Sequence, residues 1–251
     1  MIKTYLFCKD DVREDVPLAD WRKLTEDEHA LIWVDVHSYD EAELNDLAGI
    51  FGLHAISIES CLDPYRRPHL YEFEDHFYVN LTLLEKSRIE PSELHLFASE
   101  KWVLTLSPGP GQAAEEALKE YRDAPRLSEK GAMYAAYLLI ENLVESYYPV
   151  VEGLDDEADR LETDMLGRPD KDSLARLFDI KRRAFDLRRL LGPQRDVLTE
   201  LSKRDFTFIS GEHQVYFQDL YNRMVRLFDM IDTIREILSG SLDIYLSMAS
   251  N

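Results

Sequence analysis

Hydrophobic and polar positions repeat with two different periods along this chain. Up to about residue 126, short apolar and β-branched runs such as TYLFCK and ALIWVDVH are typical of strands, and amphipathic segments separate them. Beyond that point apolar residues recur every three or four positions, which indicates long helices. The pattern predicts an α+β protein. It has an N-terminal α/β (αβα sandwich-like) module over residues 1–126, then a long antiparallel helical hairpin and a long C-terminal stalk helix.

Within the first module, EAELNDLAGIFG is expected to form a helix that Gly52 closes. AISIESCLD predicts a shorter helix that ends at Asp63-Pro64. HLYEFEDHFYVNLTLLE, ELHLFAS and KWVLTLS predict three or four further strands joined by turns. A loop from Pro108 to Gly111 then leads into a last helix, AAEEALKEYRD.

Two helical segments follow the module. Residues 131–166 carry the helical period over many turns, LGRPDKD predicts a turn, and residues 171–205 are expected to return as a second helix. Gly192-Pro193 should kink or break this second helix, because proline lacks the amide hydrogen and its ring clashes with the preceding turn. With the loop TFISGEH, these segments form the predicted hairpin, residues 127–212.

The remaining segment, residues 213–251, is predicted to be one stalk helix of roughly 57 Å, at about 1.5 Å per residue. Its apolar period continues through Ile244 and Leu246 without the Gly or Asn that usually follows a last helical turn. Either the end of the helix frays, or the helix belongs to something longer. Helices of this length are expected to pack against each other or against copies in an oligomer.

The stalk helix has two contrasting sides. Its apolar side consists of Tyr216, Leu220, Met224, Leu227, Ile231, Ile234, Leu238, Leu242 and Tyr245. Its polar side, interrupted by Val225, consists of Gln218, Asn222, Asp229, Asp232, Glu236, Ser239, Asp243, Ser247 and Ser250. One interpretation is the solvated face of an amphipathic helix. The other is several copies around an axis with their acidic stripes inward, where rings of Asp and Glu hold or conduct cations.

The net charge of −20 disfavours nucleic acid as a partner and is compatible with a cation partner or with simple solubility. Cys8 and Cys61 show neither zinc-type spacing nor a disulfide framework, which favours a reducing compartment. The N-terminal MIKTYLFCKDDVRED does not resemble a signal peptide. Since no run reaches the roughly 18 apolar residues of a membrane span, the chain as given is expected to be soluble.

Several strings resemble the cytoplasmic part of CorA-type divalent-cation (Mg²⁺/Co²⁺) transporters. They are PYRRPHLYEFEDHFYVNL, YYPVVEGLDDEADRLE, GRP, VYFQDLYN and REILSGSLDIYLSMASN, the last being the most specific. The resemblance implies a homopentamer on the cytoplasmic side of the inner membrane, in which the long helices form a central stalk. It also implies that this chain stops just before the first membrane span, and that Mg²⁺ bound between neighbouring copies holds the pore closed.

The resemblance assigns roles to particular acids. Asp219, in FQDLY, matches the regulatory aspartate of the stalk, and its partner across the subunit interface matches Glu59. Ser60 stands where family members often carry a second carboxylate, which implies a weaker site or one shifted to Glu59. Glu141 matches another family acid that could complete the site. The alternatives are that Glu59 only favours a helix, that Glu141 only lies on the polar side of its helix, and that Asp219 pairs with a nearby Arg. Asp243 matches an acidic ring near the membrane, and Glu236 and Asp229, on the same stripe, are expected to face the pore.

Alternatives remain open at this point. A zinc-transporting relative shares the architecture, so the regulatory ion could be Mg²⁺, Co²⁺ or Zn²⁺. A soluble coiled-coil interaction protein would use the stalk helix to bind a partner helix. A metal-dependent hydrolase using acid pairs is disfavoured, because the chain has no His-x-x-x-His pair, nucleophile elbow or phosphate-cradling glycine loop. The sequence is therefore interpreted as that of a non-enzyme.

Overall fold

The structure, a computed structural model, describes residues 1–63, 66–85, 88–109, 112–167, 171–203, 206, 209 and 211–249. Several features predicted from the sequence lie outside these residues in whole or in part: Pro64, the 110–111 part of a loop, the turn at 168–170, residues 204 and 205 of the predicted second helix, residues 207, 208 and 210 of the loop TFISGEH, and residues 250 and 251 of the predicted stalk. The strands are β1 (Ile2–Cys8), β2 (Asp11–Glu14), β3 (Leu31–His37), β4 (His69–Glu72), β5 (His76–Glu85), β6 (Arg88–Ser99) and β7 (Trp102–Ser107).

These strands form one sheet in the order β2-β1-β3-β7-β6-β5-β4. Every neighbouring pair is antiparallel except β3 and β7, which pair in parallel from Ile32 opposite Trp102 to His37 opposite Ser107. The sequence did not predict the edge strand β2. Its residues are mostly exposed, so they lack the apolar alternation by which a half-buried strand is recognised.

Alternate residues of the central strands enter two separate cores. On one face Ile32 and Val34 of β3 pack with three short helices: α1 (Trp21–Leu24), α2 (Glu41–Phe51) and α3 (Ala55–Leu62). Leu31 and Trp33 enter the other core, beneath the helices that follow β7. Helix α2 begins with a reciprocal Asp40–Glu43 capping box and ends at Gly52, whose φ of 73° is left-handed, as predicted.

The helices after β7 are α4 (Gln112–Asp123), α5 (Gly131–Glu145), α6 (Tyr148–Gly167), α7 (Lys171–Lys203) and α8 (Gly211–Ala249). Their buried residues form one core with the strand residues on that face of the sheet. The predicted fold class, a sheet module followed by long helices, is confirmed. Residues 220, 224, 227, 231, 234 and 238 of the predicted apolar side of α8 are fully buried.

The helical segments differ from the prediction in two places. Residues 131–166 are not one helix, because the chain turns at Ser146 and Tyr147, and Pro149 then cannot donate an amide hydrogen back to Glu145. Of the kink or break predicted at Gly192-Pro193, the break does not occur, since α7 continues through Pro193. Buried residues on both sides of the proline anchor α7 in the core, and this packing outweighs the lost hydrogen bond.

A buried polar junction fixes α7 one residue after Pro193. The Gln194 side chain is fully buried, and its Oε1 accepts hydrogen bonds from the Thr82 amide of β5 at 3.0 Å and from the Tyr147 hydroxyl at 2.6 Å. The same Tyr147 hydroxyl also reaches the Thr82 carbonyl oxygen. Sheet, α7 and the α5–α6 turn are thereby joined by groups that have no access to water.

Candidate functional site

Two of the acids that the sequence analysis selected lie side by side in the structure. Asp219 of α8 and Glu141 of α5 both contact the guanidinium of Arg223, at 2.7 Å from Nε and 2.8 Å from Nη2. A third acid, Glu145, contacts Nη1 of the same group. We call these four residues the Arg223 cluster. It draws carboxylates from two helices around one positive charge.

The Arg223 cluster is half-buried and has polar support. The Tyr137 hydroxyl donates to Glu141 Oε1 at 2.8 Å, and the Tyr148 hydroxyl donates to the Arg223 carbonyl oxygen at 3.2 Å. Burial disfavours the charged guanidinium, but the hydrogen bonds that it donates to Asp219 and Glu145 outweigh this effect and raise the pKa of Arg223. Burial, followed by the bond to Glu141, raises the pKa of Tyr137. Both side chains therefore keep their protons throughout the neutral range.

Glu59 lies on the other side of the sheet from this cluster. It is exposed on α3, which belongs to the layer formed by α1–α3, whereas α5 and α8 cover the opposite face. Within one chain the structure therefore joins Asp219 to Glu141 but leaves Glu59 apart. A site containing all three acids requires Glu59 from a second copy.

Ser60, the residue that replaces an expected carboxylate, points inward. Its side chain is fully buried, and its hydroxyl donates to the Ile56 carbonyl oxygen at 2.8 Å. Arg66 donates to the same hydroxyl, and His69 Nε2 lies 3.3 Å away. Neighbouring helical residues point about 100° apart, which explains why Glu59 is exposed while Ser60 is enclosed. Ser60 is therefore committed to contacts within its own chain.

Carboxylate oxygens are the ligands that Mg²⁺ prefers, so the chemistry of the Arg223 cluster suits such an ion. Its geometry within one chain does not, because the oxygens are directed at Arg223. In the described part of the chain no group of three or more His, Cys, Asp or Glu residues is arranged to hold a metal. A metal site would need oxygens from another copy and a rearrangement around Arg223.

After Arg223, the acids on the polar side of α8 fall into two groups, those exposed to solvent and one that pairs with arginines. Asp229, Glu236 and Asp243, the residues expected to face a pore, are all exposed. Asp232, on the same side, instead pairs with Arg188 of α7 and with Arg235 at 3.1 Å. Burial alone would raise the pKa of Asp232, but the hydrogen bonds from the two arginines lower it. Asp232 therefore forms an ion pair between α8 and α7.

A buried hydrogen-bonded chain links the parallel strands and bears on the hydrolase alternative. Asp35 Oδ2 lies 2.8 Å from His37 Nε2, and His37 Nδ1 lies 2.9 Å from Ser107 Oγ. The spacing resembles that of a nucleophile, base and orienting acid. All three residues are at most 4% exposed, however, and the Ser107 hydroxyl donates to the Gly109 carbonyl oxygen. These three hydrogen-bonded side chains hold the ends of β3 and β7 together and do not present a nucleophile to a substrate.

Comparison with known proteins identifies the family. The family model described as CorA-like Mg2+ transporter protein matches residues 28–251, which is most of the chain. The chain belongs to this family. The cobalt/magnesium transport protein CorA of Thermotoga maritima is 29% identical over 251 residues, covering 98% of this chain and 70% of that protein. The putative metal ion transporter YfjQ of Bacillus subtilis is 26% identical over 226 residues, covering 88% and 70%.

Solved structures share the CorA fold seen here. The complete CorA magnesium transporter of Methanocaldococcus jannaschii superposes with a TM-score of 0.79 at 22% identity, covering 100% of this chain and 78% of that one. The soluble domain of the same transporter gives 0.76 at 24% identity, covering 98% and 97%. The ZntB cytoplasmic domain of Vibrio parahaemolyticus gives 0.73 at 12% identity, with the same coverage. None of the described helices has both the length and the apolarity needed to cross a membrane.

Glu145 was not selected from the sequence, and Arg223 was anticipated only as an unnamed nearby arginine that could pair with Asp219. A signal for them existed, because Arg223 follows Asp219 by four residues and Glu145 follows Glu141 by four. Residues spaced by four lie on the same face of a helix. The pairing between the two helices depends on tertiary packing, which a helical wheel does not contain.

Proposed function

We propose that this chain is the metal-sensing and gating part of a CorA-like divalent-cation transporter. Copies assemble as a homopentamer on the cytoplasmic side of the membrane, with the α/β module (1–126) outside and the stalk (213–251) at the centre. Mg²⁺ or Co²⁺, the ions suggested by the name of the Thermotoga relative, binds between copies and favours the closed state. The bound ion stabilises this arrangement by neutralising acids that otherwise repel each other.

The observation that carries this proposal is the placement of the three acids on two surfaces. Asp219 and Glu141 meet where α5 and α8 lie side by side, and Glu59 is exposed beyond the sheet. A ring of copies can bring one such surface against the other in each neighbouring pair. Asp229, Glu236 and Asp243 are proposed to line the axis of this ring as the pore-facing residues.

Millimolar Mg²⁺ is expected to raise the melting temperature of the wild-type protein by about 5 °C when the Mg²⁺ concentration is well above the dissociation constant of the site. Asp219→Ala should remove most of this rise, because it deletes a ligand from the proposed site. The measurement is thermal unfolding by circular dichroism during a Mg²⁺ titration at constant ionic strength.

Glu152→Ala is the matched control, since Glu152 is an exposed acid on α6 outside the proposed site. This variant should keep the full response to Mg²⁺. A wild-type melting temperature that stays constant throughout the titration contradicts the proposed function. An equal loss of the response in both variants would mean that general charge, rather than the Asp219 site, governs it.

A further inference from the structure

The geometry points to a regulatory role for Arg223: it is a built-in counter-cation that competes with the divalent ion for the same carboxylates. This inference rests on the proposed function, because it concerns the Asp219 site. It adds that the metal does not enter an open ring of acids. The ion must displace a guanidinium that already holds them, and Arg223 thereby sets the metal concentration at which the site responds.

The guanidinium of Arg223 is fully engaged by the three carboxylates. Asp219, Glu145 and Glu141 each take a different nitrogen, namely Nε, Nη1 and Nη2. Arginine offers its donors in a rigid fork, so three contacts in three directions fix the positions of the carboxylates. The distances to Asp219 and Glu141, 2.7 and 2.8 Å, are those of charge-assisted hydrogen bonds.

The charges within the Arg223 cluster do not balance. Three carboxylates surround one guanidinium, so the Arg223 cluster keeps a net negative charge and still attracts cations. A divalent ion brings one more positive charge than the arginine does, but it gives up part of a tightly held hydration shell. Arginine is more weakly hydrated and is already in place. Competition between the two cations is therefore expected, with the outcome set by the metal concentration.

Solvent reaches two of the carboxylates of the Arg223 cluster more readily than it reaches the guanidinium. The side chains of Glu145 and Asp219 are 51% and 44% exposed, whereas those of Arg223 and Glu141 are 24% and 21% exposed. An ion can thus approach the carboxylates from solvent or from a neighbouring copy while Arg223 lies behind them. Removal of the guanidinium would leave three like charges close together, with a divalent cation as their natural replacement.

The test compares the Mg²⁺ concentration at half-maximal thermal shift in the wild type, Arg223→Gln, Arg223→Lys and Arg226→Gln. Arg223→Gln should lower this midpoint by about tenfold, since a competing charge a few ångströms away is removed. Arg223→Lys keeps the charge but loses the fork, so its midpoint should lie between those of the wild type and Arg223→Gln. Arg226, exposed on the same helix, is the control for the net charge change and should stay within about twofold of the wild type.

The outcomes separate this inference from the proposed function. A wild type that responds to Mg²⁺, together with an Arg223→Gln midpoint at or above the wild-type value, overturns the role of Arg223 and leaves the proposed function standing. Absence of a response in every variant overturns both. A response in Arg223→Gln alone overturns the proposed function and this inference with it, because the wild-type site then does not sense the ion. If Arg223→Gln does not fold, Arg223→Lys decides. An Arg223→Lys variant whose Mg²⁺ midpoint equals that of the wild type overturns the claim that the forked guanidinium competes with the ion.

Discussion

Replacing Ile231 with alanine is expected to lower the free energy of unfolding by about 2–5 kcal/mol. Ile231 lies in the middle of α8, is fully buried, and belongs to the core shared by the long helices and one face of the sheet. The truncation loses the transfer free energy of the removed methyl and methylene groups and leaves a cavity that close-packed neighbours cannot fill. Urea denaturation followed by circular dichroism measures the change.

Thr233→Ala is the control for this prediction. Thr233 is an exposed residue two positions further along α8, and its hydroxyl bonds only to the backbone carbonyl of Asp229 at 3.0 Å. The substitution should change the stability by less than about 0.5 kcal/mol. If Ile231→Ala is no more destabilising than Thr233→Ala, then α8 is not packed on the core as the structure shows.

Gln194→Ala is expected to lower the free energy of unfolding by about 2–4 kcal/mol, although it removes a polar side chain. The substitution leaves the buried Thr82 amide without its acceptor and deprives the Tyr147 hydroxyl of one partner. A buried donor without a partner has lost its bonds to water and gains nothing in exchange. The cavity left by the side chain adds to this loss.

The matched control is Gln218→Ala on α8, where the amide is exposed and contacts only Asn222 at 3.4 Å. It should be close to neutral in the same urea titration, because water replaces the lost contact. A Gln194→Ala variant as stable as Gln218→Ala would show that Gln194 is not the buried link between sheet and helices.

The periodic parts of this fold could be predicted from sequence because burial imposes the period. The apolar side of α8 and the strands β3 and β7 are nearly continuous in buried residues, so their patterns are unambiguous. The start and the end of helix α2 are marked by local sequence signals, the Asp40 cap and Gly52. What could not be predicted was decided by tertiary contacts. Pro193 stays helical because the surrounding α7 is anchored in the core. The turn at Ser146 is different, since Pro149 was a local signal for it that the apolar period alone does not contain.

The candidate site shows the same division between local and tertiary information. The resemblance to the CorA family led to Asp219, Glu141 and Glu59, and the structure places the first two side by side. It could not reveal that Arg223 holds them, because that contact joins α8 to α5 across more than 70 residues of chain. Nor could it show that Ser60 is enclosed. The direction of a side chain on α3 depends on which face the sheet covers.

The most direct test of the account is sedimentation velocity of the wild-type protein in millimolar Mg²⁺ and in sodium chloride of equal ionic strength. Mg²⁺ should shift the protein towards larger assemblies, EDTA should reverse the shift, and Glu59→Ala and Asp219→Ala should each reduce it. Each variant removes one side of the proposed interface. An identical distribution of the wild type in both salts, at every protein concentration tested, would contradict the claim that divalent cations bind between copies of this chain.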